Sequence, residues 1–356
     1  MKKQLKICVF FCLYIVSLLG FSQTAEAQLQ FAYEAVKPEN QQGEFEYFNL
    51  KMTPGQKQTV EVKLTNRADQ EQTIEVMLNG AKTNSNGVLE YGPSTLKDDP
   101  SLKHRFKDIV KGPSEVTLAP NESAPLKLDI TMPEVSYDGQ IVGGIYLKSK
   151  ITKEEEEAKK KTPGVVNEYA FVVGMVLQET DVEIMPKLSL NKVYAGLSNY
   201  RNSIFANFSN TQAVFLNGMT VEMEVMNKGS KTVLYDTKRA DMRMAPNSMI
   251  DFPLELNGDE MESGEYSAHI LVTSGTLKWE WDQEFKITKE EADKYNAQDV
   301  SLIQERGINW KLILLIGGSI FGVFILIFFV IRQINKKKKS KQNEQRKKRK
   351  TKPQKR

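Results

Sequence analysis

The sequence predicts an all-β chain of two tandem sandwich domains followed by one C-terminal transmembrane helix. Apolar side chains alternate with polar ones in short runs spaced about ten residues apart, a pattern typical of antiparallel sandwiches. Residues 312–331 carry no charged side chain, and a helix of that length spans a hydrocarbon core of about 30 Å. A basic and then apolar N-terminus completes the pattern of a secreted chain that stays anchored in a membrane.

The N-terminal segment 1–27 is predicted to be a secretory signal peptide. Three lysines precede an apolar run, and an Ala-x-Ala cleavage site ends at Ala27. The only two cysteines of the chain, Cys8 and Cys12, lie in this segment. The predicted mature chain therefore has no disulfide bond and must be stabilised by core packing alone.

Residues 28–182 are predicted to form the first sandwich. Asn86-Gly87 indicates a hairpin between two of its alternating runs. Gly143 and Gly144 interrupt an apolar strand, and we interpret them as relief for close packing in preference to a ligand contact. The segment 151–164 is rich in Glu and Lys at i,i+4 spacing, which favours a solvated helical tip or a mobile loop.

Residues 183–288 are predicted to form the second sandwich, which is immunoglobulin-like. Gly264-Glu265-Tyr266 opens a strand in the manner of the tyrosine corner found in such sandwiches. Trp279 and Trp281 share one face of the last strand and are interpreted as core aromatics, with an exposed aromatic stripe as the alternative.

The C-terminal part is predicted to connect the sandwiches to the cytoplasm. A polar segment, 289–311, is interpreted as a juxtamembrane stalk, and 312–331 as the transmembrane helix. The tail 332–356 holds fourteen basic residues and one acid, so it is expected on the cytoplasmic side. The predicted location is therefore the cell membrane, crossed once, with both sandwiches outside.

Composition narrows the classes of function. Between residues 28 and 310 the chain has 31 basic and 43 acidic residues, although the whole chain has a net charge of +4. An acidic outer part argues against nucleic acid or another anionic polymer as the main ligand. His104 and His269 are the only histidines, and without cysteine they assemble no metal site or nucleophile. We expect no enzyme, no metal and no cofactor.

The candidate ligand contacts are aromatic and polar residues in predicted loops, where binding residues often occur on a rigid scaffold. Aromatic rings beside amides and carboxylates suit sugars, whose apolar ring faces are bordered by hydroxyl groups. The alternative for each residue is that it only builds its own turn. The candidates are Asn40, Gln41, Gln42, Tyr47, Tyr91, Tyr137, Asp138 and Gln140.

Four stretches, 38–66, 106–123, 132–147 and 171–193, resemble the WxL-interacting protein family of Gram-positive bacteria. The resemblance implies a peptidoglycan-binding first domain and a second domain that binds host matrix protein. It also implies WxL-domain surface proteins as partners. Members of this family are the partners of WxL proteins, so the chain, which has Trp279-Glu280-Trp281 in its second predicted sandwich, is expected to be such a partner.

These observations together predict a membrane-anchored cell-surface scaffold that binds peptidoglycan and retains or presents WxL proteins. The alternative is an adhesin for host extracellular-matrix protein whose contact with the cell wall is incidental. A third class, an enzyme acting on wall glycan, is disfavoured because the sequence supplies no catalytic cluster.

Overall fold

The structure is a computed structural model that describes residues 30–151 and 169–302, with scattered positions from 313 to 332. It divides into two compact units, Met1–Ser301 and Leu302–Arg356. In the second unit the described positions between 313 and 332 are helical.

Several predicted segments lie outside the described residues. They are the signal peptide 1–27, nearly all of the charged segment 151–164, most of the predicted helix 312–331 and most of the tail 332–356. Within the part of the chain that the structure describes, no helix combines the length and the apolar character needed to cross a membrane.

The first sandwich is built from two sheets, a small hairpin and one short helix. The four-stranded sheet has the order β1-β3-β9-β7, the five-stranded sheet has the order β2-β11-β10-β4-β8, and β5 pairs with β6. The elements are β1 (Phe31–Val36), β2 (Phe48–Lys51), β3 (Lys57–Asn66), β4 (Gln72–Gly80), β5 (Lys82–Thr83), β6 (Leu89–Glu90), α1 (Phe106–Ile109), β7 (Val110–Lys111), β8 (Glu115–Leu118), β9 (Ser123–Thr131), β10 (Gln140–Ser149) and β11 (Ala170–Gln178).

The core of the first sandwich follows from the alternation in its strands. Val62 in β3 lies opposite Leu126 in β9, and both side chains are fully buried. Ile145 in β10 and Val173 in β11 lie opposite each other in the other sheet and face the same core. Since side chains alternate across a strand, the residues between them face outward. The predicted all-β architecture is confirmed.

The second sandwich packs a three-stranded sheet, β12-β13-β16, against a four-stranded sheet, β15-β14-β17-β18. Trp279 and Trp281 are half-buried against this core, and the ring of Trp281 lies 5.9 Å from that of Phe208. The strands are β12 (Leu188–Ser198), β13 (Arg201–Asn210), β14 (Leu216–Asn227), β15 (Val233–Met244), β16 (Ser248–Glu255), β17 (Gly264–Ser274) and β18 (Leu277–Ile287).

Tyr266 forms the predicted tyrosine corner of the second sandwich. Its ring is buried at the start of β17, and its hydroxyl donates a hydrogen bond to the carbonyl oxygen of Glu262 at 3.0 Å. This bond closes the approach to β17 in the way typical of immunoglobulin-like sandwiches.

We expect Tyr266→Phe to lower the free energy of unfolding by about 1 kcal/mol, because it removes one hydrogen bond to a backbone carbonyl and leaves the ring in place. Urea denaturation measures this change. Tyr200→Phe is the control, since that ring is exposed. Equal stability of the Tyr266→Phe variant and the native chain would contradict the assigned role of the hydroxyl.

Residues 289–301, predicted to begin a stalk, pack on the second sandwich. Helix α2 (Lys289–Asn296) starts with the capping box between Thr288 and Glu291, and Ala292 is buried in the core. Further on, the buried Asp299 carboxylate accepts a hydrogen bond from the N–H of Asn202 at 2.7 Å. The structure thus joins residues 289–301 to the sandwich, and the juxtamembrane stalk 289–311 as a whole stays a prediction.

A buried polar junction connects the two sandwiches. The hydroxyl oxygens of Thr83 and Ser248 lie 2.7 Å apart, and the Thr83 oxygen accepts a hydrogen bond from the N–H of Ala245 at 3.0 Å. Asp99 is only 5% exposed, and its carboxylate accepts a hydrogen bond from the hydroxyl of Ser209. Because satisfied hydrogen bonds in a buried site favour one geometry, the junction holds the sandwiches in one arrangement.

Candidate functional site

The outer face of the five-stranded sheet has a depression where two glycines lie opposite each other. Gly144 in β10 pairs directly with Gly174 in β11. A Cβ atom at Gly144 would lie 2.6 Å from the Cβ of Tyr91, and one at Gly174 would lie 3.5 Å from the Cβ of Tyr47. The missing side chain at Gly144 is what lets Tyr91 lie directly on the sheet.

Phe45 and Tyr47 extend this surface as a stacked pair. Their ring centroids are 4.8 Å apart with an interplanar angle of 16°, and the two residues are 42% and 37% exposed. Gly43 has φ = 76°, and a Cβ there would lie 2.6 Å from the Phe45 ring, so the turn requires glycine. We call Phe45, Tyr47, Tyr91 and the outward-facing Tyr146 the aromatic patch.

Tyr91 keeps its proton throughout the physiological range. Burial raises the pKa of its hydroxyl, and the neighbouring Tyr47 also raises this pKa, whereas the Arg243 guanidinium lowers it. The phenol is therefore a neutral hydrogen-bond donor at the edge of the patch. Arg243 belongs to β15, so this edge of the patch adjoins the second sandwich.

The predicted amides Asn40, Gln41 and Gln42 hold the loop that carries Tyr47. Asn40 exchanges side-chain hydrogen bonds with Gln58 at 2.8 and 3.0 Å. Gln41 donates to the carbonyl oxygen of Tyr47 at 3.1 Å and so positions it. Gln42 is exposed; its side chain donates to the carbonyl oxygen of Asn40 at 3.5 Å, and its backbone pairs with Asn49 of β2. These contacts give the amides a supporting role beside the patch.

The structure places the predicted residues Tyr137 and Asp138 away from the patch. Tyr137 donates its hydroxyl to the carbonyl oxygen of Leu177 at 3.1 Å, and burial raises its pKa. Asp138 accepts a hydrogen bond from the Thr180 hydroxyl at 2.7 Å. These bonds tie the 136–140 loop to the end of β11.

Gln140, the last predicted residue, lies where the loop meets the second sandwich. Its N–H donates to the carbonyl oxygen of Ala213 at 2.7 Å. A Cβ at the preceding Gly139, where φ is 102°, would collide with Ala213. The 136–140 loop is therefore occupied by contacts within the fold. As ligand contacts, all eight predicted residues stay predictions.

A cleft of about 200 Å³ opens beside the aromatic patch. Gly92 lines this cleft, and a Cβ atom at Gly92 would lie 3.1 Å from the Tyr146 ring. We call it the basic cleft, because its lining carries three cations and one carboxylate. These charged residues are Lys82, Asp98, Arg105 and Lys107.

Asp98 organises two of the cations of the basic cleft. Its carboxylate oxygens lie 3.2 Å from the Lys82 ammonium and 3.3 Å from the Arg105 guanidinium. All three groups are partly exposed, so these ion pairs contribute little to stability and chiefly fix positions. Asn79 and Ser94 add neutral polar groups to the lining.

Sequence reasoning missed Phe45, Tyr146 and the whole basic cleft. Tyr146 could have been found, because it alternates outward between the buried Ile145 and Leu147. The cleft has no such signal, since its members come from three separate segments that only the fold brings together. Within the described residues, no group of three or more His, Cys, Asp or Glu side chains is placed to hold a metal ion.

Two family profiles match the chain. Residues 31–149 match "WxL Interacting Protein, peptidoglycan binding domain", and residues 160–297 match "WxL Interacting Protein, host binding domain". The aromatic patch and the basic cleft both lie within the first match. Among curated proteins, none matches this chain.

Solved structures that the chain matches include bacterial fimbrial chaperones. One is in the complex of the Salmonella enterica SafA pilin with the SafB chaperone, with 10% identity, coverage of 73% of this chain and 99% of that chain, and a TM-score of 0.29. Another is the E. coli chaperone DraB, with 12% identity, coverage of 72% and 98%, and a TM-score of 0.26. At such TM-scores neither likeness carries an argument about binding.

Proposed function

Because the chain belongs to the WxL-interacting protein family, we propose that it is a cell-surface scaffold that binds peptidoglycan through its first sandwich. The observation that carries this proposal is the aromatic patch. Its stacked rings at Phe45 and Tyr47 present apolar faces to solvent, and the Tyr91 hydroxyl adds a neutral donor at the edge. Sugar rings have apolar faces bordered by hydroxyls and match both features.

The second sandwich, in this proposal, holds protein partners: WxL-domain surface proteins on the same cell, and host matrix protein. The match to a host-binding profile over 160–297 supports the choice of this sandwich. The acidic outer part disfavours nucleic acid as a further partner.

The proposal includes a single membrane anchor at 312–331 with a cytoplasmic basic tail, supported by the uncharged segment and the basic residues after it. Tethering raises the effective concentration of the sandwiches at the wall, so a modest affinity per site is enough. The scaffold acts by binding, without chemistry on the glycan.

We expect Tyr47→Ala and Tyr91→Ala each to weaken binding to peptidoglycan about three- to tenfold, because the first removes a stacking surface and the second a hydrogen-bond donor, each worth roughly 1 kcal/mol. The measurement is co-sedimentation of the purified full-length chain with insoluble peptidoglycan. Tyr200→Ala is the matched control, since it removes an exposed tyrosine from the second sandwich.

The same assay separates this function from its alternatives. Unchanged sedimentation of both patch variants, with unfolding temperatures like that of the native chain, excludes the patch as the site. A native chain that binds matrix protein but not peptidoglycan supports an adhesin, and release of reducing sugar from the pellet identifies an enzyme.

A further inference from the structure

We propose that the basic cleft binds a free carboxylate on the peptide part of peptidoglycan, next to the sugar rings at the aromatic patch. This inference rests on the proposed function, because it assumes that the first sandwich binds peptidoglycan. It adds a second recognition element with different chemistry, and it assigns that element to residues that sequence motifs did not indicate.

The charge of the basic cleft favours an anion. Three cations face one carboxylate, and Asp98 already contacts Lys82 and Arg105. Among the described residues, the Lys107 ammonium forms no ion pair, and its side chain is exposed to solvent. A carboxylate that enters the cleft can therefore contact Lys107 directly and share the other two cations with Asp98.

The position of the cleft suits a ligand with both sugar and peptide parts. Asn79 lines the cleft and is the β4 residue that pairs with Gly144 of β10. Tyr91 packs directly over Gly144. Gly92 both lines the cleft and lies against the ring of Tyr146 in the aromatic patch. The peptides of peptidoglycan branch directly from its sugars, so both parts of one repeating unit meet these adjoining surfaces.

The free edge of the sheet adds room for a chain at this position. β8 pairs with β4 only from Gln72 to Glu75, so on the edge away from β10 the rest of β4, among the described residues, borders the α1 segment and the cleft. Asn79 lies along this border, where its amide donates to the carbonyl oxygen of Met77 at 3.3 Å and its amide oxygen can accept a hydrogen bond from a peptide.

The surrounding charge makes the cleft selective for this group. The part of the chain between residues 28 and 310 is acidic overall, and repels carboxylates except where basic side chains are concentrated. Charge complementarity of this kind determines which partner binds and in which orientation. The cleft thus fixes the orientation of a glycan that the aromatic patch alone would hold through non-directional stacking.

The test uses the full-length chain and peptidoglycan stripped of attached phosphate polymers, before and after its carboxyl groups are converted to amides. We expect amidation to weaken binding of the native chain about three- to fivefold. Lys107→Gln is expected to weaken binding to unmodified peptidoglycan by the same factor and to have no effect on the amidated form. Lys63→Gln, on the other sheet, is the control and should match the native chain on both.

A variant that is expected to tighten binding provides a second test. Asp98→Asn removes the competing carboxylate from the cleft and is expected to tighten binding to unmodified peptidoglycan about two- to threefold. A purely structural role for these charges does not produce a gain in affinity.

If the native chain does not sediment with peptidoglycan, the proposed function fails. If it sediments equally with both forms and Lys107→Gln has no effect, only this inference fails. Binding that is lost when the phosphate polymers are removed also overturns it.

Discussion

Gly143→Ala is expected to lower the free energy of unfolding by about 3 kcal/mol, at the upper end of the cost of overpacking a core. Gly143 faces the core from β10, whereas the next residue, Gly144, faces outward. A Cβ there would lie closer than 3.0 Å to three ring carbons of Phe106, a separation that real Cβ atoms essentially never show. The Phe106 ring is fully buried and cannot move aside without displacing its neighbours.

Gly80→Ala is the matched control for this substitution, because a Cβ at Gly80 in the neighbouring strand would lie 3.9 Å from the Cβ of Phe106, an ordinary contact. Urea denaturation of both variants gives the comparison. In addition, Phe106→Leu should partly rescue Gly143→Ala, so the double variant loses less stability than the two changes combined. Additive effects would show that the strain has another source.

Asp99→Ala is expected to lower the free energy of unfolding by about 3 kcal/mol. The carboxylate is 5% exposed and accepts hydrogen bonds from the Ser209 hydroxyl and, at 2.8 Å, from the N–H of Ser101. Its removal leaves the buried Ser209 hydroxyl and the part-buried Ser101 N–H without this acceptor and opens a small cavity. Because Ser209 belongs to the second sandwich, we also expect the sandwiches to unfold in separate steps.

Asp98→Ala controls for loss of an aspartate at the adjacent position, where the side chain is partly exposed and its ion pairs contribute about 0–1 kcal/mol. Fluorescence of the tryptophans, which lie in the second sandwich among the described residues, and circular dichroism of the whole chain follow the two steps. A single cooperative transition in the Asp99→Ala variant, at the stability of the Asp98→Ala variant, would show that the junction contributes little.

Period-two alternation predicted most of the strands because the sandwiches bury one face of each sheet. It could not predict α1, which has four residues, or β7, which has two, since neither is long enough to show a period. The attachment of residues 289–301 to the second sandwich could not be predicted, for a physical reason. Of α2 only Ala292 is buried, so its sequence is that of a solvated helix, while Asp299 attaches through a contact almost a hundred residues away at Asn202.

The candidate site was predictable only in part. Tyr47 and Tyr91 were found as loop aromatics, but their proximity depends on the register that places Gly144 opposite Gly174. Pairing register between distant strands is set by the whole sheet and cannot be derived from any single run. Tyr137, like Tyr47, is a tyrosine among polar residues of a predicted loop. Only the structure shows that its hydroxyl donates to the backbone of Leu177.

The contact between Asp299 and Asn202 determines how the second sandwich bears tension. β18 is an edge strand of its sheet, and a pull on an edge strand from one end can unzip it one hydrogen bond at a time. Here the chain beyond β18 is attached to the start of β13 through the N–H of Asn202, and to the turn before β13 through the bond from the N–H of Val300 to the carbonyl oxygen of Tyr200. A load applied beyond residue 300 therefore reaches the opposite sheet before it reaches β18, and the sandwich resists it by shear.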